Sequence, residues 1–227
     1  MKKIISFSLW GDNPRYTLGA IRNCELALKI YPDWICRFHV GLSTPKDIID
    51  CLDDFPNSEI LMKEDEGNWT GMFWRFEDAS DPTVDVMISR DCDSRLTLRE
   101  KNAVDEWLNS GEYFHIMRDN IAHATQILGG MWGVRDGFLK NIHNMIEEYS
   151  KGNFWQVDQN FLREKIYPIV KDNCYVHTEL VKMMGENSFS FSDERDPQHF
   201  IGQAYDGNDK ILDQDDYFID RLYESTH

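Results

Sequence analysis

Positive charge is scarce in this chain. Its 24 lysines and arginines face 40 aspartates and glutamates, giving a formal net charge of −16 and a pI near 4.7. Phosphate backbones require a basic footprint, so this balance argues against a nucleic-acid partner and against a polyanionic substrate surface. A single diphosphate stays acceptable if a divalent cation stands between the like charges. Cysteine is sparse too. Cys24, Cys36, Cys51, Cys92 and Cys174 are odd in number and never spaced C-x-x-C, which reads as reduced thiols in a cytoplasmic setting. No apolar run approaches the roughly 20 residues of a membrane span. Ile4 to Phe7, behind two lysines, is too short for the apolar part of a secretion signal and reads as a first strand. Without such a signal, Asn68-Trp69-Thr70 is a chance match to a glycosylation sequon. Internal repeats and low-complexity linkers are lacking as well.

What is present is a globular composition rich in aromatics. The 227 residues are 41% hydrophobic and 13% aromatic, with seven tryptophans. That length suits one large α/β domain, or a domain with a C-terminal extension. Strands are expected at 4–9, 35–40, 59–62 and 84–88, and helices at 17–31 and 45–52. Gly11-Asp12-Asn13-Pro14 forces a loop after the first strand, and Pro32 ends the first helix. Thr97 with Glu100 forms a capping-box signature for a helix that Gly111 stops. Strand–helix alternation through residue 110 points to βαβ units and a largely parallel sheet. Beyond it, 113–117 and 126–132 read as strands and 138–149 and 157–166 as helices, followed by a loosely structured acidic tail.

The strongest chemical feature is Asp91-Cys92-Asp93, at the end of the apolar strand Val84 to Ile88. In open α/β sheets ligands bind beyond the carboxyl ends of strands. A turn there lets one carboxylate ligate a hard cation while the other reaches a ribose or a metal-bound water. Mg²⁺ and Mn²⁺ take oxygen ligands, shared between carboxylates and diphosphate oxygens. Asp91 and Asp93 are therefore the candidate metal ligands. D-x-D is short, and a solvated acidic turn is the plain alternative. Arg90 and Arg95 flank it, suited either to pairing with the acids or to neutralising a diphosphate. Trp10 and Tyr16, beside the end of the first strand, fit the core or the face of a base.

This order of elements resembles the GT-A fold of nucleotide-sugar glycosyltransferases, in which a Rossmann-like half binds the nucleotide and a D-x-D closes the fourth or fifth strand. Three later segments match in order. Ile127 to Gly133, with Gly129-Gly130, resembles the small-residue strand that floors the sugar pocket. Val157-Asp158-Gln159-Asn160-Phe161-Leu162 resembles the D-Q-D-x-L-N segment of family 8 enzymes, with Asn160 in place of the second Asp. His177 stands where such enzymes carry a third metal ligand, though closer to that segment. The pattern around Ser89 to Arg95 also looks like small GT-A proteins of large DNA viruses and polysaccharide clusters.

The resemblance implies an α/β, GT-A catalytic domain over 1–185. Residues 1–110 would be its nucleotide-binding half and 111–185 its acceptor and metal half, with an acidic segment over 186–227. It implies a Mn²⁺ or Mg²⁺ cofactor, a nucleotide-sugar donor, uridine diphosphate above others, and a glycan or other hydroxyl acceptor. Metal ligands would be Asp91, Asp93 and His177. Nucleotide-sugar contacts would come from Leu9, Trp10, Tyr16, Arg75, Arg90, Asp91, Arg95, Gly129 and Gly130. Asp158 would serve as base in an inverting reaction, and Asp158 or Gln159 would lie near the anomeric carbon in a retaining one. Taken alone, His177 reads as structural and Gly129-Gly130 as a close approach of two strands. Sugar-phosphate nucleotidyl transfer and non-catalytic carbohydrate binding are the alternatives. The first needs a glycine-rich cradle after the first strand, where Gly11 stands alone. An aspartyl phosphatase needs its D-x-D on the first strand, which has none.

Overall fold

A computed structural model describes residues 1–149, 152–196 and 198–212. It begins with β1 (Lys3–Leu9), α1 (Pro14–Ile30), β2 (Ile35–Val40), α2 (Lys46–Asp53) and β3 (Ser58–Met62). Asn13 caps α1 through its side chain and Pro14 takes the first helical turn, where a missing N–H costs nothing. A run of 3₁₀ turns, Trp69–Ser80, leads into β4 (Val86–Ser89) and α3 (Leu98–Ser110). β5 (Phe114–Arg118), β6 (Trp132–Arg135) and α4 (Ile142–Glu147) follow. α5 (Val157–Phe161) continues through a π turn, Leu162–Ile166, into α6 (Tyr167–Val170). β7 (Cys174–Thr178) and β8 (Ser188–Phe189) complete the order.

The eight strands form one sheet in the order β3-β2-β1-β4-β6-β5-β7-β8. β6 is antiparallel to β4 and to β5, and the other pairings are parallel. Both faces are covered, as parallel strands require. Along β4, Ile88 packs with Phe7, Phe38 and Trp107 on one face, while Met87 packs with Phe114, Trp132 and Phe161 on the other. Phe7 and Phe38 stack at 4.9 Å. Burying such rings contributes about 1.5–3 kcal/mol each. Among the described residues no helix is long and apolar enough to cross a membrane.

Several expectations are corrected. Residues 126–131 are not strand, which begins only at Trp132. Ser89 Oγ donates to the Gly129 carbonyl at 2.7 Å, which holds Gly129-Gly130 beside the end of β4 as a turn. Helix over 138–149 shrinks to α4. The capping box is half formed. Thr97 accepts from the Glu100 amide, but the Glu100 carboxylate turns inward to Arg90 and Tyr31. Nor is the acidic tail loose where it is described. Ile201 is buried beside Met117 and Met131, the Tyr205 amide donates to the Asp93 carbonyl at 2.8 Å, and Glu186 pairs with buried Arg118. The remaining tail, 213–227, lies outside the described residues.

Candidate active site

β4 delivers the chain into the Asp91-Cys92-Asp93 turn, and three contacts fix its course. The Arg90 amide donates to the Ser6 carbonyl at 3.0 Å. Asn23, on α1, donates to the Ser94 carbonyl at 2.9 Å and accepts from the Leu96 amide at 3.1 Å. Gly19 lets α1 approach so closely that a Cβ there would overlap the Cys92 carbonyl.

The two carboxylates of the motif have different surroundings. Asp93 is buried against Arg15, which meets its Oδ2 through Nε at 3.0 Å and Nη2 at 2.9 Å. Asp91 keeps a third of its side chain exposed and pairs with Arg75. Arg75 comes from the 3₁₀ run, is itself buried, and reaches Asp158 Oδ2 at 3.0 Å with its other nitrogen. One guanidinium thus ties together two carboxylates, one from the turn after β4 and one from α5. Burial pushes the Asp158 carboxyl up from its ordinary range. The Arg75 charge opposes that rise, and the Asp91 charge adds to it.

Asp91, Arg75 and Met72 form the shared wall of two cavities. The first, about 400 Å³, is lined by Leu9, Trp10, Tyr16 and Trp69 among others. The second, about 380 Å³, is lined by Gly129, Asp158, Gln159, Trp155 and His123 among others. Gly130 borders the junction, where any Cβ would collide with the Asp91 carboxylate. Phe200, Gly202, Gln203, Ala204 and Leu212 fold back to close the second cavity.

Leu9, Trp10, Tyr16, Arg75, Asp91, Gly129, Gly130, Asp158 and Gln159 therefore converge, and Asp93 borders the first cavity while paired with Arg15, whereas three other candidates stay away. Arg90 turns into the core, bonding Glu100 at 2.7 Å and the Trp132 carbonyl at 3.2 Å. Arg95 holds Asp209 at 2.8 Å and stacks over Tyr205, lining neither cavity. His177 lies on β7, three strands from β4 in the sheet order. Its Nδ1 is 2.8 Å from His115 Nε2 and its Nε2 is 3.0 Å from Glu106. Both ring nitrogens are engaged inside the protein, and neither faces the Asp91 carboxylate.

Among the described residues no three His, Cys, Asp or Glu side chains converge as a metal cage. The chemistry of the site still fits a hard cation. A magnesium-like ion is commonly held by one or two carboxylates, with diphosphate oxygens and water completing its shell. Asp91 offers one such carboxylate between the cavities. Residues that sequence reasoning did not single out are Arg15, His123, Trp155 and the closing segment from Phe200 onward. Only Arg15 carried a signal, at the first turn of a helix beside the end of β1.

No protein-family model matches the chain, and no curated protein matches its sequence. Solved structures do match. A glycosyltransferase involved in the glycosylation of the major capsid of PBCV-1 superposes with a TM-score of 0.50 at 15% identity, over 78% of this chain and 81% of that one. The mannosyltransferase PcManGT from Pyrobaculum calidifontis, solved with GDP-Man and Mn²⁺, gives a TM-score of 0.52 at 8% identity. That match covers 79% of this chain and 55% of the mannosyltransferase, so the chain spans about half its length. At such identities the likeness defines the fold, a GT-A α/β architecture with a mostly parallel central sheet.

Proposed function

We propose that the chain is a metal-dependent glycosyltransferase moving a sugar from a nucleotide diphosphate sugar, uridine above other bases, to a glycan or other hydroxyl acceptor. The observation that carries this reading is Asp91, a partly exposed carboxylate on the wall shared by two cavities of substrate size. The first cavity, with Trp10 and Tyr16, offers aromatic faces for a base. Asp91 would hold Mn²⁺ or Mg²⁺, which when bound supplies the positive charge a departing diphosphate needs. Arg75 lies beside that position as a second, permanent cation. Asp158 and Gln159 border the second cavity, where donor sugar and acceptor hydroxyl would meet. The raised proton affinity of Asp158 suits a carboxylate that takes the acceptor's proton.

Nucleotidyl transfer is less well supported, because the loop after β1 brings an aromatic wall rather than a run of phosphate-cradling glycines. The test is calorimetry of uridine and guanosine diphosphate sugars with Mn²⁺ and in EDTA, followed by a turnover assay. Tight binding with metal, weak binding in EDTA and release of nucleoside diphosphate are expected. Undiminished affinity in EDTA would refute the metal's role.

A further inference from the structure

His123 belongs to no motif, yet it borders the second cavity and is held there from several directions. Its Nδ1 accepts the Asp119 amide at 3.1 Å. Asp119 is itself fixed by Arg99 at 3.0 Å and by the Ile201 amide at 3.0 Å. Buried Arg118 grips the same loop through the Thr125 carbonyl at 2.8 Å, and Phe200 packs edge-on against the imidazole at 5.5 Å. With Nδ1 occupied as an acceptor, the neutral ring carries its proton on Nε2. That nitrogen has no protein hydrogen-bond partner among the described residues. Burial pushes the imidazole down to about 4, with the Arg195 and Arg118 charges adding to the effect against Asp119. The ring is therefore a neutral donor at ordinary pH.

The rest of the cavity favours a neutral ligand with both flat and hydroxylated faces. Arg75 is compensated by Asp91 and Asp158, and Arg163 leans toward Glu164 at 3.7 Å. Trp155 supplies an apolar face, and Gln159 and Gln203 supply amide groups. That combination suits a saccharide better than a phosphate or a peptide carboxylate. We propose that His123 is a specificity-determining residue, its fixed Nε2–H donating to one hydroxyl oxygen of a saccharide in the second cavity. The proposal deepens the glycosyl-transfer reading and rests on it for the identity of that saccharide as donor sugar or acceptor.

Histidine side-chain NMR on the full chain tests it, with the His123 signals assigned by their loss in His123→Gln. UDP with Mg²⁺ is added first, then methyl glucoside, methyl galactoside and methyl mannoside separately. The expected result is an Nε2–H tautomer from pH 6 to 8 that UDP leaves in place and at least one glycoside shifts. The same glycoside should bind about tenfold more weakly to His123→Phe and within about threefold of wild type to His123→Gln, whose amide can donate from a similar place. UDP affinity should be unchanged in both variants. An Nδ1–H tautomer, no response to any glycoside, or wild-type glycoside affinity in His123→Phe overturns the proposal. The Trp10 indole signal reports the other site. Its failure to respond to UDP would count against the nucleotide reading, whatever His123 does.

Discussion

Replacing Asp91 with Asn keeps the side chain's shape and removes the charge that faces both cavities. Asp91→Asn is expected to lower kcat/KM at least a hundredfold, roughly 3 kcal/mol in the barrier, while leaving the melting temperature within about 2 °C of wild type. Asp93→Asn should do the reverse, because it removes the carboxylate charge that meets buried Arg15 through two nitrogens. Breaking one side of a buried pair costs about 3–5 kcal/mol, a fall in melting temperature of roughly 6–20 °C for a chain of this size. Calorimetric melts beside a turnover assay separate the two variants, and an Asp93→Asn that melts like wild type but loses metal dependence would reverse the assignment. Gly130→Ala joins Asp91→Asn, since its methyl would displace the Asp91 carboxylate. Its signature is lost turnover with a near-normal melt. The motif's position was legible from the apolar run before it. Which carboxylate faces out was not, because Arg15 and Arg75 decide it and each approaches from a remote element. His177 misled for the same reason: its neighbours Glu106 and His115 are distant in sequence and close only once β5, β7 and α3 assemble.

α1 supports the Asp91-Cys92-Asp93 turn through its small-residue face, and that inverts an ordinary rule. In an exposed helix interior, Gly to Ala stabilises by about 1 kcal/mol. At Gly19 the added methyl would meet the Cys92 backbone, which has no side-chain torsion to yield. Gly19→Ala is expected to lower the melting temperature and weaken UDP binding together, and a stabilised variant with normal binding would contradict the packing described. Thr97→Ala is the contrasting case at the start of α3. It removes one cap worth about 1 kcal/mol, or a few degrees of melting temperature, with KM unchanged. The N-terminal elements were legible because each is bounded by its own signal: Asn13-Pro14 before α1, a tyrosine-proline stop after it, Thr97 and Gly111 around α3. The 3₁₀ run that carries Arg75 was not. Its Trp69, Phe73 and Phe76 keep near-helical spacing, but the turn type is set by packing against β1 and α5, not by local preference.

The whole molecule carries a second acid sensitivity besides its carboxylates. His115, His123 and His177 are each held below the ordinary imidazole range, burial being the largest cause in every case. Below about pH 6.5 the unfolded chain takes up protons that these folded imidazoles refuse. Stability is therefore full above that pH and is lost as pH falls, by about 1.4 kcal/mol per pH unit for each proton difference. Urea unfolding at pH 7, 6 and 5 should show a steady decline, and a flat profile would place these rings in water. The order of strands has a consequence of another kind, in time rather than in space. β6 is made after β4 and β5 yet lies between them, antiparallel to both. Without Trp132–Arg135 the sheet would be two pieces, β3-β2-β1-β4 and β5-β7-β8, each with an open edge. Closing that seam pairs residues 43 to 49 apart along the chain, against 31 for β1 with β2, and the more distant pairing is the slower to form. In refolding with pulsed hydrogen exchange, the amides shared by β4 and β6 should gain protection after those shared by β1 and β2. That seam is also where Asp91 meets Gly130, so a refolding chain would gain the wall between its two cavities only once β6 is seated.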